Sequence, residues 1–392
     1  MVATTPDGAP TVRRTSPGSG GSSPAAYPPV GVRKFCTAAD WESGELRGGE
    51  IGGGSQPPAL RLNPLNASRG EYTDSLSGDE IECRMGAWTS AEVEAPHPFN
   101  AAILSWNAEA PFGTWLQAWL SAYRPDEGRW TKYYSLGVWT SEQGEVRRHS
   151  VSGQDDADAV VETDVLRLSS GAVYNRYKCR TTLYSVDAGA SPSVTLLAVS
   201  LSAEGVAARA PERGPGTERA AWGVVLDVPP RSQMIYVGGD AWCSPTSTAM
   251  VLAYWGFDVP VLDAAAATYD CEYCGTGAWP FNTAWASTFG LEAYVARMTS
   301  LAELERWIVP GVPVVVSLGF GPGELDGAPL ERSSGHLIVV CGFDVHGDVV
   351  VNDPAAKSDA EVRLVYRRSQ LERQWLAHSG GVVYLIHPRR HE

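Results

Sequence analysis

The chain has 392 residues, 44% of them hydrophobic and 19% charged, an ordinary balance for a globular protein long enough to hold two domains with their own cores. A formal net charge of −14 argues against binding a phosphate backbone, which needs a clustered basic surface, so nucleic acid is excluded as a partner. No apolar stretch approaches the ~18 residues of a membrane span, so no transmembrane helix is expected.

Residues 1–31 are dominated by Pro, Gly, Ser and Thr, notably from Thr15 to Pro24, and cannot bury enough surface to offset the entropy of ordering. They are expected to form a flexible tail. Met1–Pro6 does not begin the apolar core of a secretory signal. From 32 to 204, short apolar and aromatic runs alternate with turn residues, as at 102–106, 114–123, 173–184 and 193–200. Period-two alternation sets Trp115, Gln117, Trp119, Ser121 and Tyr123 on one face of an extended segment, and this pattern predicts an all-β sandwich N-terminal domain. Its aromatic content raises a glycan or cell-surface ligand as a partner, although aromatics at alternate strand positions also serve a core. Arg147, Arg148 and His149 read as a solvated edge. Residues 205–221, rich in Gly, Pro and charge with no hydrophobic period, read as an exposed linker.

The second domain spans 222–390. A strand within Trp222–Pro229 leads towards Gln233, and helices are expected at Cys243–Trp255, Val261–Tyr269, Asn282–Phe289 and Ser300–Ile308. Ser300 is read as the N-cap of the last of these, with Glu303 completing a capping box. Strands follow at 312–318, 336–342, 349–353, 362–366 and 382–386. Helices first and strands afterwards predict an α+β domain.

Cys243 stands at the mouth of a short apolar helix, because Pro245 suits a first helical turn and Gly256 suits the position after the last. A thiol at that place lies beside free backbone N–H groups and the positive end of the helix dipole, surroundings that favour the reactive thiolate. His336 opens one apolar strand and Asp353 closes the next. With a four-residue loop at Asp344–Gly347, Ile338 faces Asp353 and His336 lies on the diagonal, roughly 7–8 Å away on the same face. Thiol, imidazole and carboxylate together make the acyl-transfer triad in its cysteine form. His346 and His387 read instead as residues of solvated loops.

These residues resemble the papain-like cysteine peptidases of the bacteriocin-processing, double-glycine-leader type, and above all their free-standing relatives without a transporter. The likeness rests on Ser232-Gln233, Trp242–Ser247, Gly335–Val340 and Val351–Ala355, and covers about residues 225–388. It implies a papain-like peptidase domain that needs no cofactor or metal and acts on a peptide or protein substrate through a thioester acyl-enzyme. Carried over by position, Cys243 is the nucleophile, His336 the base, Asp353 its orienting partner and Gln233 the side-chain donor of the oxyanion hole. Gln233 departs from the pattern, standing ten residues before Cys243 where the family spacing is shorter. The resemblance also implies export, with a cytoplasmic location as the alternative. Acyl transfer by the same triad, or a binding protein on a papain-like scaffold, are the competing functions. Of the seven cysteines, Cys271 and Cys274 have the spacing of half a zinc site or a redox pair, but no second pair with ligand spacing follows, which favours a local disulfide or two ordinary thiols over metal. A bridge among Cys36, Cys83 and Cys179 would imply an oxidising compartment.

Overall fold

The computed structural model describes residues 31–52, 57–169, 174–187, 189–203 and 219–389, with the backbone of Arg13–Thr15 as a short strand parallel to Val224–Leu226. Nearly all of the expected tail (1–31) and linker (205–221) lies outside the described residues.

Residues 32–203 form two antiparallel sheets. In one, Ala101–Glu109 pairs with Ser193–Ser202; in the other, Thr114–Arg124 pairs with Tyr174–Ser185, which pairs in turn with Glu80–Thr89. Leu104, Trp106 and Leu197 of the first sheet share a buried core with Trp88, Leu116 and Leu183 of the second. Strand Tyr174–Ser185 shows the period-two logic plainly. Tyr177, Cys179, Thr181 and Leu183 are buried, while the interleaved Arg176, Lys178 and Arg180 lie over the rings of Tyr123, Trp130 and Tyr133 at 3.7, 4.4 and 3.9 Å.

In the second half, one sheet runs in the order Val224–Leu226, Ser333–Phe343, Val314–Phe320, Val382–Pro388 and Leu291–Arg297, and Val349–Asn352 and Arg363–Tyr366 extend it from Ser333–Phe343. Helix Cys243–Tyr254 packs against it, followed by helices Val261–Thr268, Trp279–Ser287, Leu301–Ile308 and Arg368–Ser379. Helices and strands are therefore more interleaved than expected. Strand Leu291–Arg297 precedes Leu301–Ile308, and its near-continuous burial gives no alternation to read. Helix Arg368–Ser379 is mostly polar and buries only Leu371, Gln374, Trp375 and Ser379. Helix Trp279–Ser287 starts three residues before the expected Asn282, because Pro280 fits its first turn. The expected capping box is absent: Ser300 is the N-cap without a side-chain bond, and Glu303 accepts from Thr299 N at 3.1 Å and Thr299 Oγ1 at 2.8 Å.

The larger apolar core runs through both halves, and a smaller cluster around Tyr72, Trp115 and Tyr184 lies apart from it. Phe281 lies against Trp106 and Trp139, with ring centroids 6.1 and 5.7 Å away. Gly137 gives it room, since a Cβ there would stand 3.0 Å from the Phe281 ring. Ser105 Oγ accepts from Val295 N at 3.1 Å, and the Asn107 amide pairs with the backbone N–H and carbonyl of Ala293. Of the expected solvated edge, Arg147 is exposed, while burial corrects the other two: Arg148 is 3% exposed and His149 fully buried. Arg148 donates to Thr140 O at 2.9 Å and, across the interface, to Ala266 O at 3.2 Å. Polar sequence character does not reveal such burial, because the compensating acceptors are distant in the chain. His387 is likewise buried, within strand Val382–Pro388 rather than a solvated loop, while His346 is exposed in its turn.

Candidate active site

Cys243 is the first residue of helix Cys243–Tyr254, and its neighbour Trp242 occupies the N-cap without a side-chain hydrogen bond. The first backbone N–H groups of the helix are thus free of a side-chain cap. The thiol is partly exposed while Ser244 to Leu252 are buried, so the helix presents its cysteine at the edge of the core. Two hydroxyls hold it there. Ser244 Oγ lies 2.8 Å from Tyr384 OH, and Ser247 Oγ donates to Leu337 O at 3.0 Å, one residue beyond His336.

His336 lies on strand Ser333–Phe343 and is 3% exposed, with Nε2 2.7 Å from Asp353 Oδ1. The way the hairpin reaches this pairing differs in detail from the expected one. Phe343 pairs with Val349, leaving a five-residue loop, and a bulge between Val340 and Gly342 absorbs the extra residue. Val340 then pairs with Val351 and Val339 with Asn352, a register that, one step on, sets Ile338 opposite Asp353. Gly342 is required at the bulge, because a Cβ there would come 2.1 Å from Val224 O on the neighbouring strand. With Nε2 committed to Asp353, Nδ1 is the ring nitrogen left for Cys243, whose side chain contributes to the upward shift of the same imidazole.

Asp353 is 1% exposed and fully engaged. Its Oδ1 also accepts from Ala355 N at 2.9 Å, and its Oδ2 accepts from Tyr366 OH at 2.6 Å. Burial works against the imidazolium, but the charge and hydrogen bond of Asp353, with a contribution from Cys243, raise His336 to about 10. Burial likewise works against the carboxylate, and His336, Tyr366 and Ala355 together hold Asp353 below its ordinary value. Burial, and then Asp353, push the Tyr366 phenol upward. Tyr366 was not legible from sequence: it ends a short strand, and only the pairing of Arg363–Tyr366 with Val349–Asn352 brings it to the carboxylate.

Gln233 is 2% exposed. Its backbone N–H donates to Pro354 O at 2.9 Å, next to Asp353, and its Nε2 donates to Asp240 O at 2.8 Å. Asp240 belongs to the 3-10 turn Gly239–Ala241 that leads into Cys243, so the amide docks on the segment carrying the thiol. Oε1 has no hydrogen-bond partner among the described residues. The ten-residue spacing is taken up by a tight excursion that exposes Met234, Ile235 and Val237. At the start of strand Ser333–Phe343, Phe320, Gly321, Pro322 and Arg332 to Ser334 line an open cavity of about 600 Å³. A larger one, about 800 Å³, lies in the N-terminal half among Arg47, Thr89, Tyr133, Lys178 and Arg180, residues that take no part in this chemistry.

All seven cysteines are free thiols, including Cys271 and the exposed Cys274. Among the described residues no group of three or more His, Cys, Asp or Glu side chains is placed to hold a metal ion, and no helix is long and apolar enough to cross a membrane.

Residues 31–202 match the family model of the peptidase C39 N-terminal domain, and residues 225–383 that of the peptidase C39 like family. No curated protein matches the chain at a significant level. Among solved structures, a Bacillus anthracis chain inferred to be a C39-like peptidase is 19% identical, covers 41% of this chain and 94% of its own, and has a TM-score of 0.33. The N-terminal endo-1,4-beta-D-xylanase modules of Clostridium thermocellum are 12% identical over 44% of this chain and 26% of their own, with a TM-score of 0.17. A cleaved adhesin domain of Lys-gingipain from Porphyromonas gingivalis is 11% identical over 46% of this chain and 96% of its own, with a TM-score of 0.18.

Proposed function

We propose, for a chain whose two halves both match peptidase C39 models, that it is a cysteine peptidase using Cys243, His336, Asp353 and Gln233. The observation that carries this reading is the buried His336–Asp353 pair at 2.7 Å, whose imidazole is under the electrostatic influence of a thiol at an uncapped helix start. In the first step the sulfur of Cys243, its proton held on His336 Nδ1 in a thiolate–imidazolium pair, bonds to the substrate carbonyl carbon. Charge moves to the carbonyl oxygen, where backbone N–H groups of the helix start and the second Nε2 hydrogen of Gln233 stabilise it. As the C–N bond breaks, the imidazolium returns its proton to the departing amine, leaving a thioester. Water then gives a proton to His336 and attacks the thioester, releasing the acid and restoring the pair. Asp353 stays ionised throughout and holds the ring.

The finer assignment follows the motif resemblance: an α+β papain-like domain behind a β-sandwich, acting as a free-standing relative of the double-glycine-leader peptidases. The test is incubation of the reduced full-length protein with a peptide library and mass-spectrometric readout. Cleavage by the wild type and none by Cys243→Ala is the expected result. An intact library would defeat the peptidase reading, and products joined to an added amine would replace hydrolysis with acyl transfer.

A further inference from the structure

The turn between Ala159–Glu162 and Val165–Leu168 in the N-terminal half is strained, with β-branched Thr163 at φ 57. It holds Asp164, 7% exposed, so that the carboxylate crosses into the C-terminal half and Oδ2 accepts from Trp279 N at 2.5 Å. Trp279 is the first residue of helix Trp279–Ser287, whose own N-cap, Ala278, offers no side-chain bond. The cap of this helix therefore comes from the other half of the molecule.

From that helix, hydrogen bonds lead to both sides of the nucleophile. Asn282 Nδ2 donates to Thr276 O at 2.9 Å, and Thr276 Oγ1 donates to Ala241 O at 3.1 Å, two residues before Cys243. Asn282 Oδ1 accepts a long bond, 3.5 Å, from Thr248 Oγ1 in the cysteine helix. On the other side, the Tyr384 hydroxyl meets Ser244 Oγ, one residue after Cys243, and feels the charge of both Asp164 and Cys243.

We propose that Asp164 is a positioning residue through which the N-terminal half holds the Cys243 segment in its reactive place. The proposal rests on Cys243 being the nucleophile, but its effect on the thiol is readable without any turnover. The N-terminal half then belongs to the peptidase machinery itself. The carboxylate is also set to titrate in the neutral range. Burial pushes it up to about 7; the Trp279 N–H and Arg297 favour the charged form, and Asp270 opposes it. Tyr384 also couples to it by charge. An ionised acceptor binds the Trp279 N–H and the helix dipole more strongly than a neutral one, so the segment is held best above neutrality.

The experiment compares full-length wild type, Asp164→Ala and Asp164→Asn. It measures kcat and KM on a cleaved peptide, and the rate of Cys243 alkylation by iodoacetamide from about pH 5.5 to about pH 8.5, with circular dichroism as the check on folding. A lost cap of ~1 kcal/mol predicts that Asp164→Ala lowers kcat and Cys243 labelling by roughly fivefold with KM little changed. Asp164→Asn keeps an acceptor oxygen and should stay close to wild type at neutral pH, while losing an inflection near pH 7 in both rates. Wild-type rates in folded Asp164→Ala, or an inflection that persists in Asp164→Asn, overturn the proposal. If Asp164→Ala fails to fold, the Asp164→Asn profile decides. If the wild type cleaves no peptide, the peptidase reading falls while the labelling rates still judge Asp164.

Discussion

Replacing Asp353 tests the heart of the site, because three buried donors converge on its carboxylate: His336 Nε2, Tyr366 OH and Ala355 N, at 2.7, 2.6 and 2.9 Å. Removing one member of a buried ion pair strands the other at a cost of about 3–5 kcal/mol. Against a total stability of roughly 5–15 kcal/mol, Asp353→Ala endangers the whole fold. Asp353→Asn is the informative change. Its carbonyl can still accept from Nε2–H, and its amide can donate to the Tyr366 oxygen once that hydroxyl rotates, so shape is kept and charge is lost. The loss should be about 1.5–3 kcal/mol, the range for a hydrogen bond to a charged group. Its pH signature has a definite sign. His336 is raised in the folded protein, so its contribution to stability is complete below about pH 6.5 and lost as pH rises through about 10. Asp353 is lowered, so its contribution is present above about pH 4 and lost as pH falls through the depressed folded value. Urea denaturation of wild type should therefore show the pair at full strength near pH 6 and weakened near pH 10, and Asp353→Asn should flatten that difference and lower turnover by roughly 10³-fold or more. Equal pH dependence in the two proteins, with equal turnover, would refute the ion pair as the orienting element.

Cys341 is buried in its strand and burial pushes its thiol up to about 11, so iodoacetamide should label Cys243 well ahead of it near pH 7; peptide mapping checks this, and His336→Ala should slow the labelling of Cys243. Phe281→Ala should cost about 3–5 kcal/mol, because its ring fills the junction with Trp106 and Trp139. Its far-ultraviolet and tryptophan-fluorescence melts should fall together, since one core spans both halves. A protease cut within 205–221 should leave the two fragments co-eluting on gel filtration, held by Arg148, Ser105 and Asn107 across the interface. Release of a free C-terminal fragment would show that the junction is weaker than its packing implies.

The groups of the candidate triad were legible because each carries a local mark. Pro245 and Gly256 bracket the cysteine helix, and apolar runs of matched parity place His336 and Asp353 on one face. What lay hidden depends on pairings remote in sequence. Tyr366 reaches Asp353 only across a third strand, and Asp164 reaches Trp279 only because the two halves dock. The charged Arg148 and the histidines 149 and 387 read as surface because their acceptors and ring neighbours are invisible to a local pattern. Strand Leu291–Arg297, buried on both faces, offered no alternation at all.

The bulge beside Cys341 has a bearing on how such hairpins tolerate change. A loop one residue longer shifts every pairing beyond it, and a single bulge in the opposite strand shifts them back before Val339 is reached. Insertion and compensation sit at one end of the hairpin and the His336–Asp353 contact at the other, so the turn is free to drift in length provided the bulge appears or vanishes with it. A chain with a four-residue turn and an unbroken ladder would bring the same two side chains together. Deleting one loop residue from this protein without straightening the ladder would instead move Asp353 by one position and turn its carboxylate to the opposite face of the sheet.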